Sequence, residues 1–225
     1  MDTNLKQLSD FINKLDNYKL PEYNELPQIP LYMEQVVSYI IESLQPLYSE
    51  NDQVLTPFMV NNYVKAKIIT PPKHKKYTKE HISSLMSISL LKNVVSMRDI
   101  ATIEEVEKRC EYSKDKVYEY FKNLQNNAAK NEAKRIKGKV DELQKAKKKG
   151  KKKPNEQLSD VDLLGLSRLA LELYVDSEIN KIVADVIMRM VSSVVLPKKA
   201  LEETKKEKIL DKKKQENEAK KLKDR

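Results

Sequence analysis

The chain has 225 residues, with 43 Lys and Arg against 34 Asp and Glu and a formal net charge of +9. Three glycines, no Trp and a single cysteine favour an all-α protein and exclude a disulfide framework or a thiolate metal cluster. No stretch approaches the roughly 18 apolar residues of a membrane helix, and no apolar run of a secretory signal lies near the N-terminus. We therefore expect a cytoplasmic protein without a membrane span.

The positive charge is concentrated in one part of the chain. Residues 1–55 hold three lysines against nine acidic residues, a net charge of −6. Residues 56–100 hold seven lysines and Arg98 against Glu80 and Asp99, a net charge of +6. A polyanion would be attracted to the second segment and not to the first. The alternative is compositional, because an AT-rich genome also enriches Lys and Asn.

The N-terminal residues 1–30 are predicted to form a helix and a Pro-rich connector. Over residues 3–18 the apolar side chains recur in steps of three and four, as an amphipathic helix requires; they are Leu5, Leu8, Phe11, Ile12 and Leu15. Three prolines interrupt residues 20–30. A second helix is predicted over residues 31–44, ended or kinked by Pro46.

A helix start follows at Thr56 and Pro57. A Thr hydroxyl accepts from a free backbone N–H, and Pro at the first helical position lacks a donor that has no partner anyway. We expect this helix to run from Pro57 to about Ala66. Its predicted buried side holds Phe58, Val60, Tyr63, Val64 and Ile68, and its exposed side holds Met59, Asn61, Asn62 and Lys65.

A short cationic loop comes next. Pro71 and Pro72 end any helix, and the residues after them form a hairpin-sized segment: Lys73, His74, Lys75, Lys76 and Tyr77. Three later helix starts are predicted from N-cap residues. They are Thr78, opening an apolar helix to Leu91; Ser96 with Asp99, opening a short helix; and Thr102 with Glu105, a capping box for another.

The order of short helix, two-proline basic loop, apolar helix and short helix resembles the winged helix-turn-helix of the MerR class. The run VNNYVKAKIITPP lies where that family carries an Arg-Tyr-Tyr-Glu run, a Gly, two aliphatics and a Pro. The chain departs from the pattern twice. Asn61 replaces a phosphate-binding Arg, and Lys67 replaces a helix-ending Gly, which requires a positive φ of a non-Gly residue.

A second resemblance covers more of the chain, from about Leu26 to Ile103. The segments IPLYMEQVVSYI, LTPFMVNNYVKAKII and PPKHKKYTKEHI are similar to the bacterial domain-of-unknown-function family eighteen thirty-six. The resemblance implies a DNA-binding fold. We therefore predict an all-α protein with a MerR-like winged helix-turn-helix over residues 31–103, a minimal β wing, and a helical C-terminal half.

Charge and resemblance together predict sequence-specific binding of double-stranded DNA by a bacterial transcriptional regulator. The helix from Pro57 is expected in the major groove, where Asn suits adenine and Lys suits phosphate or guanine, and the hairpin lysines are expected at the flanking backbone. The predicted DNA-binding residues are Thr56, Met59, Asn61, Asn62, Tyr63, Lys65, Lys73, His74, Lys75, Lys76 and Tyr77. For both tyrosines a core role is the favoured alternative.

Beyond residue 103 the C-terminal half begins with a long helix. Residues 104–147 are predicted to hold a helix from about Ser113, with Val106 and Cys110 facing inward before it. Its apolar rhythm resembles a coiled-coil seam made of Val117, Phe121, Leu124, Ala128, Ile136, Val140 and Leu143. MerR-like proteins dimerise through such a helix, so the resemblance implies a homodimer. The alternative is a helix packed on its own chain.

Three segments complete the chain. Residues 148–158 are interpreted as a solvated basic linker, with a second polyanion contact as the alternative. Residues 159–196 are apolar nearly all round, which predicts burial, with Ser159 as N-cap and a break near Asp176–Ser177. They form either a second core or a dimer interface. Residues 197–225 hold too little apolar surface to order as packed structure.

The sequence offers little chemistry for catalysis. His74 and His81 are the only histidines and have no cysteine or acid pair at ligand spacing, so no metal site is predicted. No Gly-rich phosphate loop or nucleophile elbow occurs. We expect neither enzymatic activity nor a cofactor, although the C-terminal half could sense an unidentified effector. The main alternative function is a helical protein–protein interaction module without DNA binding, favoured by Asn61 and the acidic first 55 residues.

Overall fold

A computed structural model describes residues 3–48, 52–149 and 160–195. Within these ranges the chain forms seven α-helices and one two-stranded sheet. The helices are α1 (Thr3–Asn17), α2 (Met33–Leu44), α3 (Pro57–Lys65), α4 (Lys79–Leu91), α5 (Met97–Arg109), α6 (Lys114–Lys149) and α7 (Asp160–Val195), and the strands are β1 (Leu31–Tyr32) and β2 (Lys76–Tyr77). The expectation of an all-α protein with a minimal β element is confirmed.

The main core lies between α2, α3, α4 and the start of α6. On α2 the side chains of Val36, Ile40 and Leu44 recur every fourth residue and are fully buried. They pack with Ile82 and Leu85 of α4 in the same cluster. Burying a side chain of this size contributes about 1.5–3 kcal/mol, so this cluster supplies much of the stability of the fold.

Helix α2 begins two residues later than predicted. Leu31 and Tyr32 are extended because they pair antiparallel with β2, in the register Leu31 with Tyr77 and Tyr32 with Lys76. The connection from α2 to α3 spans residues 45–56 and includes a 3-10 turn at Gln45–Leu47. It is longer than the roughly three or four residues of a tight helix-turn-helix connection.

Helix α5 corrects two predictions. Thr102 does not cap a new helix: it lies inside α5, is 1% exposed, and its hydroxyl donates to the Arg98 carbonyl at 3.0 Å. The predicted boundary between residues 103 and 104 therefore falls within a continuous helix. Cys110 was predicted to face inward and is exposed instead, because α5 ends there and Glu111 turns the chain with φ 55°.

Helix α6 packs on its own chain at both ends. Near its start Tyr118 is buried and its hydroxyl donates to the Pro21 carbonyl at 3.0 Å. Further along, Ile136 and Val140 are buried against Ile12 of α1 in a second, smaller cluster. The predicted seam is therefore divided, since these two residues pack within the chain while Leu124 is 52% exposed.

Helix α7 differs most from its prediction. It runs without a break through Asp176 and Ser177. Most of its apolar side chains are exposed, so the expectation of burial was wrong; among its large apolar residues with a described side chain only Leu169 is buried. The reason is that just one side rests on the chain. It contacts α5, where Arg109 donates to the Val195 carbonyl at 2.9 Å, and α6, where Arg135 pairs with Glu172 at 3.1 Å and Asp176 at 3.2 Å.

The predicted linker and tail lie largely outside the described residues. Helix α6 extends to Lys149, into the start of the predicted linker, and residues 150–159 with the proposed cap Ser159 are not described. The same holds for residues 196–225. None of the described helices is long and apolar enough to span a membrane.

Candidate nucleic-acid interface

The start of α3 follows the sequence prediction. The Thr56 hydroxyl accepts a hydrogen bond from the backbone N–H of Met59 at 3.2 Å, and Pro57 occupies the first helical position. Val60 and Tyr63 point into the core, with 0% and 5% exposure. The inward side of the helix is thereby fixed, and the opposite side faces solvent.

Beyond Pro57 in its first turn, the exposed side of α3 presents four side chains: Phe58, Asn61, Asn62 and Lys65. Phe58 was predicted to be buried, but it is 73% exposed. Residues two apart lie about 200° round a helix, so the burial of Val60 turns Phe58 outward. Its spacing of four and seven residues places Phe58 beside Asn62 and Lys65 on one face. The outward face therefore combines an aromatic ring, two amides and an ammonium group.

Helix α3 ends at a strained residue. The N–H of Lys67 donates to the Val64 carbonyl at 3.0 Å, and the N–H of Ile68 donates to the Tyr63 carbonyl at 3.0 Å. These two bonds form a Schellman motif, whose first residue beyond the cap is usually Gly. Lys67 occupies that position with φ 58°. The predicted cost of a non-Gly residue at this position is therefore present in the structure.

The cationic loop is a tight hairpin. The N–H of Lys76 donates to the Lys73 carbonyl at 2.9 Å, and the two residues between them, His74 and Lys75, have φ values of 51° and 61°. Positive φ at both central positions is the geometry of a type I′ turn, for which Asn-Gly is the usual sequence. The side chains of Lys73, His74, Lys75 and Lys76 are all exposed, so the hairpin extends cationic groups into solvent.

His81 joins the two ends of the hairpin. Its Nδ1 accepts from the backbone N–H of Thr78 at 3.0 Å, so Nε2 carries the proton and donates to the Thr70 carbonyl at 3.1 Å. Its ring also meets the edge of Tyr77 at 5.5 Å between centroids. Burial lowers the pKa of His81 from its ordinary value, which favours the neutral ring. Sequence reasoning missed this role, for which the spacing Thr-x-x-His is the only local signal.

The cations of this region lack carboxylate partners. Within the described residues no salt bridge is formed by Lys65, Lys67, Lys73, Lys75 or Lys76. Lys76 instead lies over the Tyr32 ring, with Nζ 5.2 Å from its centroid. Elsewhere lysines are paired: Lys122, for example, contacts both Glu22 and Glu119. The unpaired charges leave a surface that is open to an anion.

Four of the residues predicted to contact DNA have structural roles instead. Tyr63 and Tyr77 are 5% and 3% exposed, and burial raises the pKa of both phenols. The core role favoured for these two tyrosines is therefore the one that the structure shows. Thr56 and Met59 are half-buried, the first acting as the helix cap and the second lying 4.0 Å from the Lys92 ammonium.

A separate apolar cavity of about 190 Å³ lies between α4, α5 and α6. Its lining includes the apolar side chains of Ile88, Ile100 and Phe121, and Glu107 is one of its polar residues. Burial, followed by the nearby Glu104, raises the pKa of Glu107. No cluster of three or more potential metal ligands occurs in the parts of the chain that the structure describes.

Comparison with known proteins supports one resemblance drawn from the sequence. Residues 21–124 match the model of a family described as a domain of unknown function, DUF1836. The match runs from the connector after α1 to the first part of α6, and it contains α3, the cationic hairpin and His81. No curated protein and no solved structure matches the chain.

Proposed function

We propose that the chain is a cytoplasmic, sequence-specific double-stranded DNA-binding protein, a bacterial transcriptional regulator whose residues 31–103 act as a MerR-like winged helix-turn-helix. One observation carries the proposal: Lys67, His74 and Lys75 are basic side chains held at positive φ, where Gly or Asn costs less. Residues kept in costly backbone conformations cluster at binding sites. Binding of an anion would offset the conformational cost of holding a cationic side chain at such a position.

In this proposal α3 is the recognition helix. Asn62 and Asn61 are suited to bidentate contact with adenine in the major groove, and Lys65 is suited to phosphate or guanine. The exposed Phe58 ring adds an apolar group of the kind that contacts a thymine methyl. The outward face of α3 would therefore read A·T base pairs.

The hairpin is the wing. Lys73, Lys75 and Lys76 would bind backbone phosphates beside the site read by α3, and such contacts position a protein without reading sequence. His81 would hold the wing in register by tying Thr70 to Thr78. A wing fixed in this way loses little conformational entropy on binding.

The wing is tested by charge removal. A Lys73→Ala, Lys75→Ala, Lys76→Ala variant should bind every duplex more weakly, and the slope of log affinity against log salt should flatten by about 0.9 for each phosphate that the variant no longer neutralises. The matched control is Lys130→Ala, Lys134→Ala, Lys137→Ala, which removes the same charge from exposed positions of α6. Equal slopes for both variants in a titration of one long duplex would contradict the wing assignment.

The base-reading role is tested separately with sites selected from random duplexes. Asn62→Ala should relax preference at one base pair by about 1–3 kcal/mol and leave non-specific binding unchanged. A uniform loss on all sequences would instead make Asn62 a backbone contact. A two-fold symmetric selected site would further support the homodimer that we propose as the DNA-binding unit.

The alternative function is a protein-binding module on the same scaffold. The acidic segment before α3, with a net charge of −6 over residues 1–55, favours it. The two proposals predict different behaviour on purification. A DNA-binding protein should carry nucleic acid that raises the 260/280 nm absorbance ratio and that high salt removes, whereas the module should be free of it and never retard a pool of random duplexes.

A further inference from the structure

Helix α7 leaves a large apolar surface without a partner. Twelve of its large apolar side chains are exposed: Leu163, Leu164, Leu171, Tyr174, Val175, Ile179, Ile182, Val183, Val186, Ile187, Met190 and Val194. Half-exposed side chains of this size show on the order of 100 Å² each, so the helix shows roughly 1,200 Å² in total. Monomers rarely expose a contiguous apolar patch above about 600 Å², and the eight exposed side chains between Val175 and Val194 alone show roughly 800 Å². A partner therefore has to cover this face.

Neither the remaining chain nor a membrane suits this face. Residues 197–225 contain only four aliphatic side chains larger than Ala, at Leu201, Ile209, Leu210 and Leu222, which is too few to cover it. The helix also carries six acidic residues against Arg168, Lys181 and Arg189, a net charge of −3. An anionic lipid surface repels such a helix, because interfacial helices carry Lys and Arg on their polar side.

The exposed residues form one continuous stripe over the second half of α7. Val175, Ile179, Ile182, Val186, Met190 and Val194 follow one another at steps of three and four residues, which keeps them on one side of the helix. The stripe is about 29 Å long at 1.5 Å per residue. A straight apolar stripe of this length suits a second helix lying alongside it.

Two opposite charges lie at the edge of this stripe. Glu178 and Arg189 are eleven residues apart, close to three full turns, so both lie on the same edge. Both are exposed and neither forms a salt bridge with another described residue. By contrast Glu172 is bound to Lys139, and Lys181 is bound to Asp185 within α7 itself.

From this pattern we propose that a second copy of the chain covers the stripe, with the two α7 helices antiparallel about a two-fold axis near residue 184. A two-fold axis brings the same edge of each helix together, so Glu178 of one copy meets Arg189 of the other, and the pair occurs twice. The same alignment stacks Ile182 on Val186, Ile179 on Met190 and Val175 on Val194 across the axis. Charge and apolar register therefore agree on one arrangement.

The area also suits a dimer. Eight exposed apolar side chains lie between Val175 and Val194. At about 100 Å² each they would bury roughly 800 Å² per copy, the size of a standard stable interface. This proposal does not rest on DNA binding, since its evidence is confined to α7.

The test is the mass of the full-length chain by light scattering at micromolar concentration. The expected mass is twice 26.2 kDa. Glu178→Arg alone and Arg189→Glu alone should each weaken the dimer at least about tenfold, because each places like charges opposite one another twice. The double variant, with both changes in one chain, should restore the dimer. A monomer for the natural chain, or no rescue in the double variant, would overturn the proposal.

Two further variants protect the test against misfolding and against other alignments. Ile182→Glu should give a monomer with unchanged helix content, whereas Leu163→Glu, at nearly equal exposure (48% and 50%) but outside the pairing, should remain dimeric. In a Cys110→Ser background, Val175→Cys and Val194→Cys chains should form a mixed disulfide when combined. Disulfides between identical chains of each variant, with no mixed disulfide when the two variants are combined, would show a parallel pair and refute the arrangement.

Discussion

Replacing Lys67 by Gly should stabilise the protein, although the substitution deletes an entire side chain. Lys67 lies just beyond the end of α3, with φ 58° in a Schellman motif. A non-Gly residue in this left-handed conformation costs roughly 1–2 kcal/mol. Gly removes that cost but adds about 0.5–1 kcal/mol of entropy to the unfolded state. The expected net gain is about 1 kcal/mol.

The matched control is Lys65→Gly, two residues earlier. Lys65 is helical and exposed, so the control removes the same charge and the same side chain. Gly at a helical position should destabilise by about 0.5–1 kcal/mol. The free energies of unfolding of the two variants should therefore differ by about 1.5–2 kcal/mol.

Chemical denaturation with urea, followed by circular dichroism, measures both variants against the natural chain. Thermal scans should show shifts of about 2–4 °C per kcal/mol, upward for Lys67→Gly and downward for Lys65→Gly. Shifts in the same direction would refute the strain argument. They would also remove the principal support for the DNA-binding proposal, since that support is the cost of holding basic residues at positive φ.

Other predictions follow from single contacts. His81→Gln should abolish a loss of stability at acidic pH. The pKa of His81 is lowered in the folded state, so as pH falls below about 6.5 the unfolded chain takes up the proton first and the folded state becomes less stable. Thermal scans from about pH 7.5 to about pH 5 should show this extra decline only in the natural chain. Phe58→Ala should change unfolding free energy by less than about 0.5 kcal/mol because the ring is exposed, whereas Ile82→Ala in the core should cost about 2–5 kcal/mol in the same urea titration. Arg135→Ala should leave the midpoint of the urea transition nearly unchanged despite its two acidic neighbours on α7, because all three side chains are partly exposed; a clear loss of stability would mean that this contact holds α7 in place.

Sequence patterns predicted the elements that have local signals. The Thr56–Pro57 start, the hairpin after Pro72 and the Thr78 start depend on residues within four positions of one another, and all three occur. The strained end at Lys67 was also predictable, because the resemblance to a family with Gly at that position identified it. Local capping and turn chemistry is readable since its donors and acceptors are sequence neighbours.

Long-range contacts account for the errors. Phe58 lies two residues before Val60, about 200° round the helix, and the burial of Val60 in the core turns the Phe58 ring outward. Helix α7 carries apolar residues on more than one side, so periodicity could not show which side rests on the chain. The His81 bridge joins residues eleven positions apart in a loop, a distance at which no propensity acts.

In the DNA-binding function that we propose, the unbroken α6 would have a consequence for where on DNA the protein binds. It runs 36 residues, from the contact with α4 at one end to the contacts with α1 and α7 at the other. A helix is stiff in twist, so one residue inserted near its middle would rotate its two ends by about 100° relative to each other. If two copies pair through α7, the rotational phase between their proposed DNA-reading helices would depend on the residue count of α6, together with the direct contact between α5 and α7. Operator spacing would then be inherited through the length of one helix, and natural variants with insertions there should select half-sites on different faces of the duplex.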